Sequence, residues 1–247
     1  MATGQDLITI MREDYLSDTF DGIDTATEDE INENVLWTNS QLLRYLNEAQ
    51  DEACLRGNMH RVDTTPVTIT SGRANYPLDS DIVRIEKIYL DSTDKPITHY
   101  SKDQLSRKFP DWRTETSSEI THFAISNRSL RVYPIPTGTD KLYIEAYMMP
   151  DQDVQLNVEI ESIDPNYHKD LIWYALHLAY LKHDADTYDK DRSDYYLRKF
   201  EQSFGPKLDN RVIVHQLEQP RSGGFIGPAS YTKNLSLSSG TDDDWSC

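Results

Sequence analysis

KLYIEAYMM, residues 141–149, decides the fold class of this chain. Leu142, Ile144, Ala146 and Met148 share one parity, and Tyr143, Glu145 and Tyr147 the other. That two-residue period is the mark of a strand with one face on a core. Upstream, IVRIEKIYL (82–90) is β-branched and aromatic, and TPVTITS (65–71) alternates with Val67 and Ile69 on one side. A turn over Gly72–Asn75 leads into Tyr76-Pro77-Leu78, which resumes an extended course. ITHFAIS (120–126), Asn127-Arg128 and SLRVYP (129–134) read as a hairpin. Within this β region SKDQLSRKF stands apart: Ser101 and Gln104 have the spacing of a capping box, which predicts a short helix.

Both flanks of the β region are helical. Residues 4–17 place Leu7, Ile8, Met11 and Tyr15 at helical spacing. Residues 18–35 are acidic and rich in turn formers, which predicts a loop. A second helix spans about Asn39 to Arg56, its core stripe formed by Leu42, Leu46, Ala49 and Ala53 and widened by Leu43 and Cys54. Thr38, Asn39 or Ser40 can cap its start, and Gly57-Asn58 ends it. Downstream, Asp164-Pro165 opens another helix. Its run LIWYALHLAYL (171–181) is apolar nearly all round, so it must be buried on several sides. A last helix is expected from about Thr187 to Phe204, with Tyr188 and Tyr195 seven apart and Tyr196, Phe200 and Phe204 four apart. Gly205-Pro206 stops it.

The predicted architecture is α+β: an antiparallel helical bundle (1–63 and 158–210), an inserted β-rich domain (64–157) and an extended C-terminal arm (211–247). Trp37, Leu42, Leu46, Trp173, Leu178 and Tyr180 are the expected bundle core. The arm is Gly-, Ser- and Pro-rich with isolated Phe225, Ile226, Tyr231, Leu235, Leu237 and Trp245. Such a segment has no core of its own and suits a flexible tail, or a strap whose apolar residues anchor on a partner.

Composition narrows the function. Fifteen Tyr and four Trp supply enough burial for a packed core. No apolar run approaches the roughly 18 residues of a membrane span, and MATGQDLITIMRED has neither the basic start nor the apolar stretch of a secretory signal. Cys54 and Cys247 form no disulfide framework or metal knuckle, and a reducing cytosol is the expected place of synthesis. A net charge of −17 opposes generic binding to nucleic acid and suits either solubility or a wall that DNA slides past.

No catalytic constellation emerges. His177 and His183 are six apart and therefore not on one helical face, and no His pair has the i,i+4 spacing of a zinc helix. Carboxylates at Glu28-Asp29-Glu30, Asp151/Asp153 and Asp242-Asp243-Asp244 lie in expected loops or the arm, where charge runs are usually solvated. Ser222-Gly223-Gly224 lacks the strand, helix and Lys of a phosphate loop. The expectation is no catalytic residue, no metal and no cofactor. Arg107, Phe109, Trp112 and Arg113, with Lys108, form a basic–aromatic stretch that could bind nucleic acid. In so acidic a chain it is read as an inter-subunit or tail interface, since Arg and Trp are favoured anchors.

The succession of segments resembles the head-to-tail adaptor (connector) proteins of tailed bacteriophages. It runs through DLITIMREDYLSD, WTNSQLLRYLNEAQDEACLRG, VTITSGRANYPLDSDIVRIEKIYL, LRVYPIPTGTDKLYIEAYMMP and DLIWYALHLAYLKHDAD, about the first two hundred residues. It looks most like the longer adaptors, including the tail tubular type of short-tailed phages. The resemblance implies a structural virion protein at the head–tail junction: a ring, typically of twelve subunits, docked below the portal and surrounding the DNA channel. Its implied partners are the portal protein, copies of itself and tail nozzle or fibre proteins. Double-stranded DNA would pass without sequence-specific binding. The arm residues Phe225, Ile226, Tyr231, Leu235, Leu237 and Trp245 become the expected portal anchors. Two other readings stand beside it. One is a neck or tail completion protein contacting nozzle or fibres; the other is a carbohydrate- or peptide-binding β module using Tyr143, Tyr147 and Trp112.

Overall fold

The structure is a computed structural model that describes residues 2–19, 27, 34–63, 66–183 and 187–218. It is α+β. The first helix, α1 (Gly4–Ile10), is closed by a capping box between Thr3 and Asp6 and continues as a wider π turn, Met11–Leu16. Helix α2 (Asn39–Gly57) is closed by the same device between Thr38 and Gln41. Gly57 remains helical and Asn58 takes the left-handed turn (φ 50°), one residue later than expected. Gly57 is closely packed there: a Cβ on it would lie 3.3 Å from the Phe204 ring and closer still to Met59.

The β region follows. Strands β1 (Arg61–Asp63), β2 (Val67–Ile69), β3 (Asn75–Pro77), β4 (Ile82–Leu90) and β5 (Thr98–His99) precede a short helix, α3 (Lys102–Lys108). After it come β6 (Thr116–Ser117), β7 (His122–Ser126), β8 (Ser129–Tyr133), β9 (Ile135–Pro136) and β10 (Asp140–Met148). β10 organises the first sheet. One edge pairs antiparallel with β4 along most of its length; the other pairs with β2 near its start and β1 near its end. Leu142, Ile144 and Ala146 are buried, as their parity requires, while Met148 is half-buried beside a β-bulge. The second sheet has the order β3-β8-β7-β5, with β7 and β8 joined by the hairpin turn Asn127-Arg128. Both turn residues have positive φ (51° and 54°), the geometry that matches strand twist in a two-residue loop.

Helices return after a 3₁₀ turn (Pro165–Asp170) in which the Asp164 carboxylate accepts from Asn166 N. α4 (Leu171–Tyr180) packs on α2 and on α5 (Lys190–Phe204), whose N-cap is Asp189 rather than a residue near Thr187. Tyr188 therefore precedes the helix and is exposed, as is Tyr195, whereas Tyr196, Phe200 and Phe204 face inward. α4 is buried through Leu171, Ile172, Ala175, Leu176, Ala179 and Tyr180; Trp173 and Leu178 are only partly buried at the edge of this core. Trp37, Leu42 and Leu46 are fully inside it.

Two features depart from the sequence reading. The end of the expected β domain, up to residue 157, leaves the sheet core: Val154 packs among the helices, as do Ile160 and Ile163 of the expected bundle, and Gly4 N donates to Gln155 O (3.0 Å). Gly4 is required there because a Cβ would lie 2.6 Å from that carbonyl. Second, residues 211–218 are not extended. They form α6 (Asn210–Glu218), which packs on β4 and β7, with Leu217 buried in the β core (4% exposed). Leu217 carries this contact and Ile213, one helical step before it, is half-buried, whereas Val212 and Val214 are exposed. The remainder of the expected arm, 219–247, lies outside the described residues, as does most of the acidic loop.

Candidate interface surfaces

The base of the acidic loop is a closed polar knot. Arg12, buried on the inner side of the π turn, donates through Nη1 to Asp18 Oδ2 (2.8 Å) and Asp18 O (3.2 Å). Its Nη2 donates to Trp37 O (2.6 Å) and Asn39 Oδ1 (2.9 Å). Asp18 in turn accepts from Leu36 N (2.8 Å) and Trp37 N (3.1 Å). Burial pulls the Arg12 guanidinium below its ordinary value while Asp18 pushes it back up. The two ends of the 18–35 segment are thus fastened side by side. A sequence signal existed: Arg12 stands one helical step from Ile8, on the apolar stripe of the first helix.

Above this knot is an aromatic face. Trp173 stacks on Tyr196 (6.0 Å, 5°), Tyr15 meets Trp173 edge-on (5.3 Å), and Tyr180 stacks on Tyr196 (5.8 Å). Lys199 lies over both Trp173 (4.2 Å) and Tyr195 (4.9 Å), and Arg192 over Tyr180. Tyr195 is 48% exposed and Tyr188 47%, and Tyr188 stacks on His183. Aromatic side chains with Arg and Lys above them are the composition of interface hot spots.

The Arg107–Arg113 stretch is divided by the fold. The expected Ser101–Gln104 capping box starts α3, which ends at Lys108. Arg107 and Arg113 are exposed, and Phe109 is half-buried between Tyr133 (4.7 Å) and His122 (5.3 Å). Trp112 corrects the expectation: at 5% exposure it belongs to a small core with Leu105, Ala124 and Tyr133. Its Nε1 donates to Ser106 Oγ (3.0 Å), and Arg131 and Arg113 lie over its ring at 4.6 and 5.1 Å. It is spent on holding α3 to the sheet and has little surface to offer a partner. Tyr143 stacks on Tyr89 (5.4 Å, 12°) in the first sheet, whereas Trp112 packs on the second. The three aromatics of the carbohydrate reading therefore do not form one platform. The expected portal anchors Phe225, Ile226, Tyr231, Leu235, Leu237 and Trp245 lie outside the described residues.

Titratable groups are perturbed mainly by packing. Cys54, buried on α2, has its thiol pushed up to about 12 by burial and then by Asp51. Iodoacetamide at pH 8 followed by peptide mapping is expected to leave Cys54 unmodified in the native chain and to label it in denaturant. His99, His122 and His177 are all held below the ordinary imidazole value, chiefly by burial; Lys108 adds to the effect at His122. A lowered His value means the folded state binds fewer protons than the unfolded one. Stability is therefore complete above the unfolded value near 6.5 and falls as pH drops through it toward the folded values. Denaturant titrations at pH 7.5 and 5.5 are expected to give the lower midpoint at pH 5.5, and His122→Phe to narrow the gap. Among the described residues no group of three or more His, Cys, Asp or Glu converges as metal ligands do, and no helix is long and apolar enough to cross a membrane.

The chain belongs to the SU10 adaptor protein family, whose model matches residues 6–221. Membership makes it a structural adaptor of a phage virion. No curated protein matches it. The match runs from α1 through α6 and so covers both the helical and the β elements.

Proposed function

We propose that this adaptor forms a ring of twelve subunits beneath the portal, joining capsid to tail and surrounding the DNA channel. The observation that carries this reading is the family match across residues 6–221. Helical modules stand side by side through the exposed aromatic face of Tyr188 and Tyr195, and the β modules face outward toward tail components. Arm residues 219–247, with Phe225, Ile226, Tyr231 and Leu235 as anchors, reach the portal. A net charge of −17 per chain, repeated around the ring, repels the DNA phosphates and lets DNA pass without sticking.

Mass photometry of the chain with the portal of the same phage tests this. A ring-sized mass gain is expected, lost when the chain ends at Glu218. Ending the chain earlier would remove Leu217 from the β core and confuse docking with unfolding. No association at any concentration would sink the portal assignment in favour of a neck or tail completion protein contacting nozzle or fibres.

A further inference from the structure

Outside the surfaces above, a cleft of about 650 Å³ opens on the β module. That is the size of sites that seat a few side chains. Its floor is apolar, with Val62, Val67, Leu78, Ile82, Ile144 and Met148. Its rim is acidic: Asp63, Asp79, Asp81 and Asp151 are all exposed. Beside it lie His60, 3.9 Å from Asp151, and Arg128, which donates to the carbonyls of Asp79, Ser80 and Ile82. An apolar floor under four carboxylates fits an extended segment that carries apolar side chains and positive charge.

The chain itself supplies one. Residues 219–240 contain no Asp or Glu but do contain Arg221 and Lys233, in a protein with 42 acidic residues. Phe225-Ile226 follow Arg221 by four and five positions. The segment also starts beside the cleft. Glu218, the last residue of α6, accepts from Asn127 N through Oε1 (3.0 Å). The next residue, Arg128, accepts from Leu78 N on the cleft floor (3.0 Å) and bonds the rim loop 79–82. Seven residues, 219–225, reach up to about 23 Å, ample to cross from Glu218 into the cleft.

We propose that in the free chain residues 219–226 fold back into this cleft, with Phe225 and Ile226 on its floor and Arg221 at its acidic rim. The α6 strap then has a purpose beyond covering the sheet: it delivers the arm to its own seat. A partner that takes the arm must compete with the cleft.

The test uses the full chain with Phe225→benzoylphenylalanine, irradiated alone and mapped by mass spectrometry. Intrachain crosslinks to Met148 or Met149 are expected. The exposed double substitution Asp81→Lys and Asp151→Lys is expected to cut the crosslinked fraction on the order of tenfold, with an unchanged circular dichroism spectrum. Crosslinks dominated by other regions, crosslinks only between copies, or a yield indifferent to the two reversals would each overturn the proposal. No portal is present in this experiment, so its result is independent of whether the arm docks there.

Discussion

Asp18→Ala is expected to lower stability by about 3–5 kcal/mol, the usual cost of leaving a buried charge without its partner. Arg12 would lose its ion pair with Asp18 Oδ2, keeping only the backbone carbonyl of that residue, while remaining 3% exposed, and Leu36 N and Trp37 N would lose their common acceptor. Water cannot readily replace three bonds at a site this enclosed. Urea denaturation reads the change directly. Asp189→Ala, which removes an exposed pair with Arg192 at 3.3 Å, is the contrast, although it also removes the N-cap of α5. Pair and cap together are worth about 1–2 kcal/mol. A loss at Asp18 no greater than that at Asp189 would mean that the knot does not hold the loop base. Arg12→Met with Asp18→Leu should recover part of the loss, because an apolar pair leaves no stranded charge. The functional consequence is geometric: the acidic 18–35 segment leaves and re-enters the helical module at one fastened point.

Trp37→Ala carries the second large effect, about 3–5 kcal/mol. The indole is 2% exposed, meets Tyr180 edge-on at 6.2 Å and donates Nε1–H to Ala179 O (3.2 Å). Truncation opens a cavity and removes one donor from Ala179 O, which keeps its bond from Lys182 N (3.3 Å). Trp173→Ala is expected to cost less than Trp37→Ala, because its ring is only partly buried and its Nε1 bonds Asp170 from the helix edge. The two tryptophans thus divide into one that holds the core and one that presents a surface. Thermal melts of both variants check the ranking; equal losses would contradict it. Trp173→Ala should instead weaken self-association if the aromatic face is where copies meet.

Much of this could be read without coordinates. Period-two parity in 141–149 determined a strand with one buried face, because a pleated backbone allows no other arrangement for alternating residues. Local chemistry also determined the caps at Ser101 and Asp164 and narrowed the start of α2 to Thr38, Asn39 or Ser40, of which Thr38 is the cap; a side-chain oxygen within three residues of an unpaired N–H needs nothing distant to form its bond. The Asn127-Arg128 turn was equally local.

Long-range packing decided the rest. Trp112 has the composition of an interface residue, and only the approach of Ala124 and Tyr133 from the neighbouring sheet turns it inward. Residues 210–218 look like the start of a coreless arm until β4 and β7 provide an apolar surface for Leu217. A helix this short is marginal alone and exists here because tertiary burial stabilises it. Arg12 likewise sits on an apolar stripe as an anomaly until Asp18, Trp37 and Asn39 converge on it from up to 27 residues away. The sequence by itself determined the long helices and strands, since backbone periodicity and capping are local, but not α6, which tertiary burial made helical. Which faces remain free for partners was decided only by the tertiary structure, because exposure depends on what the distant chain covers.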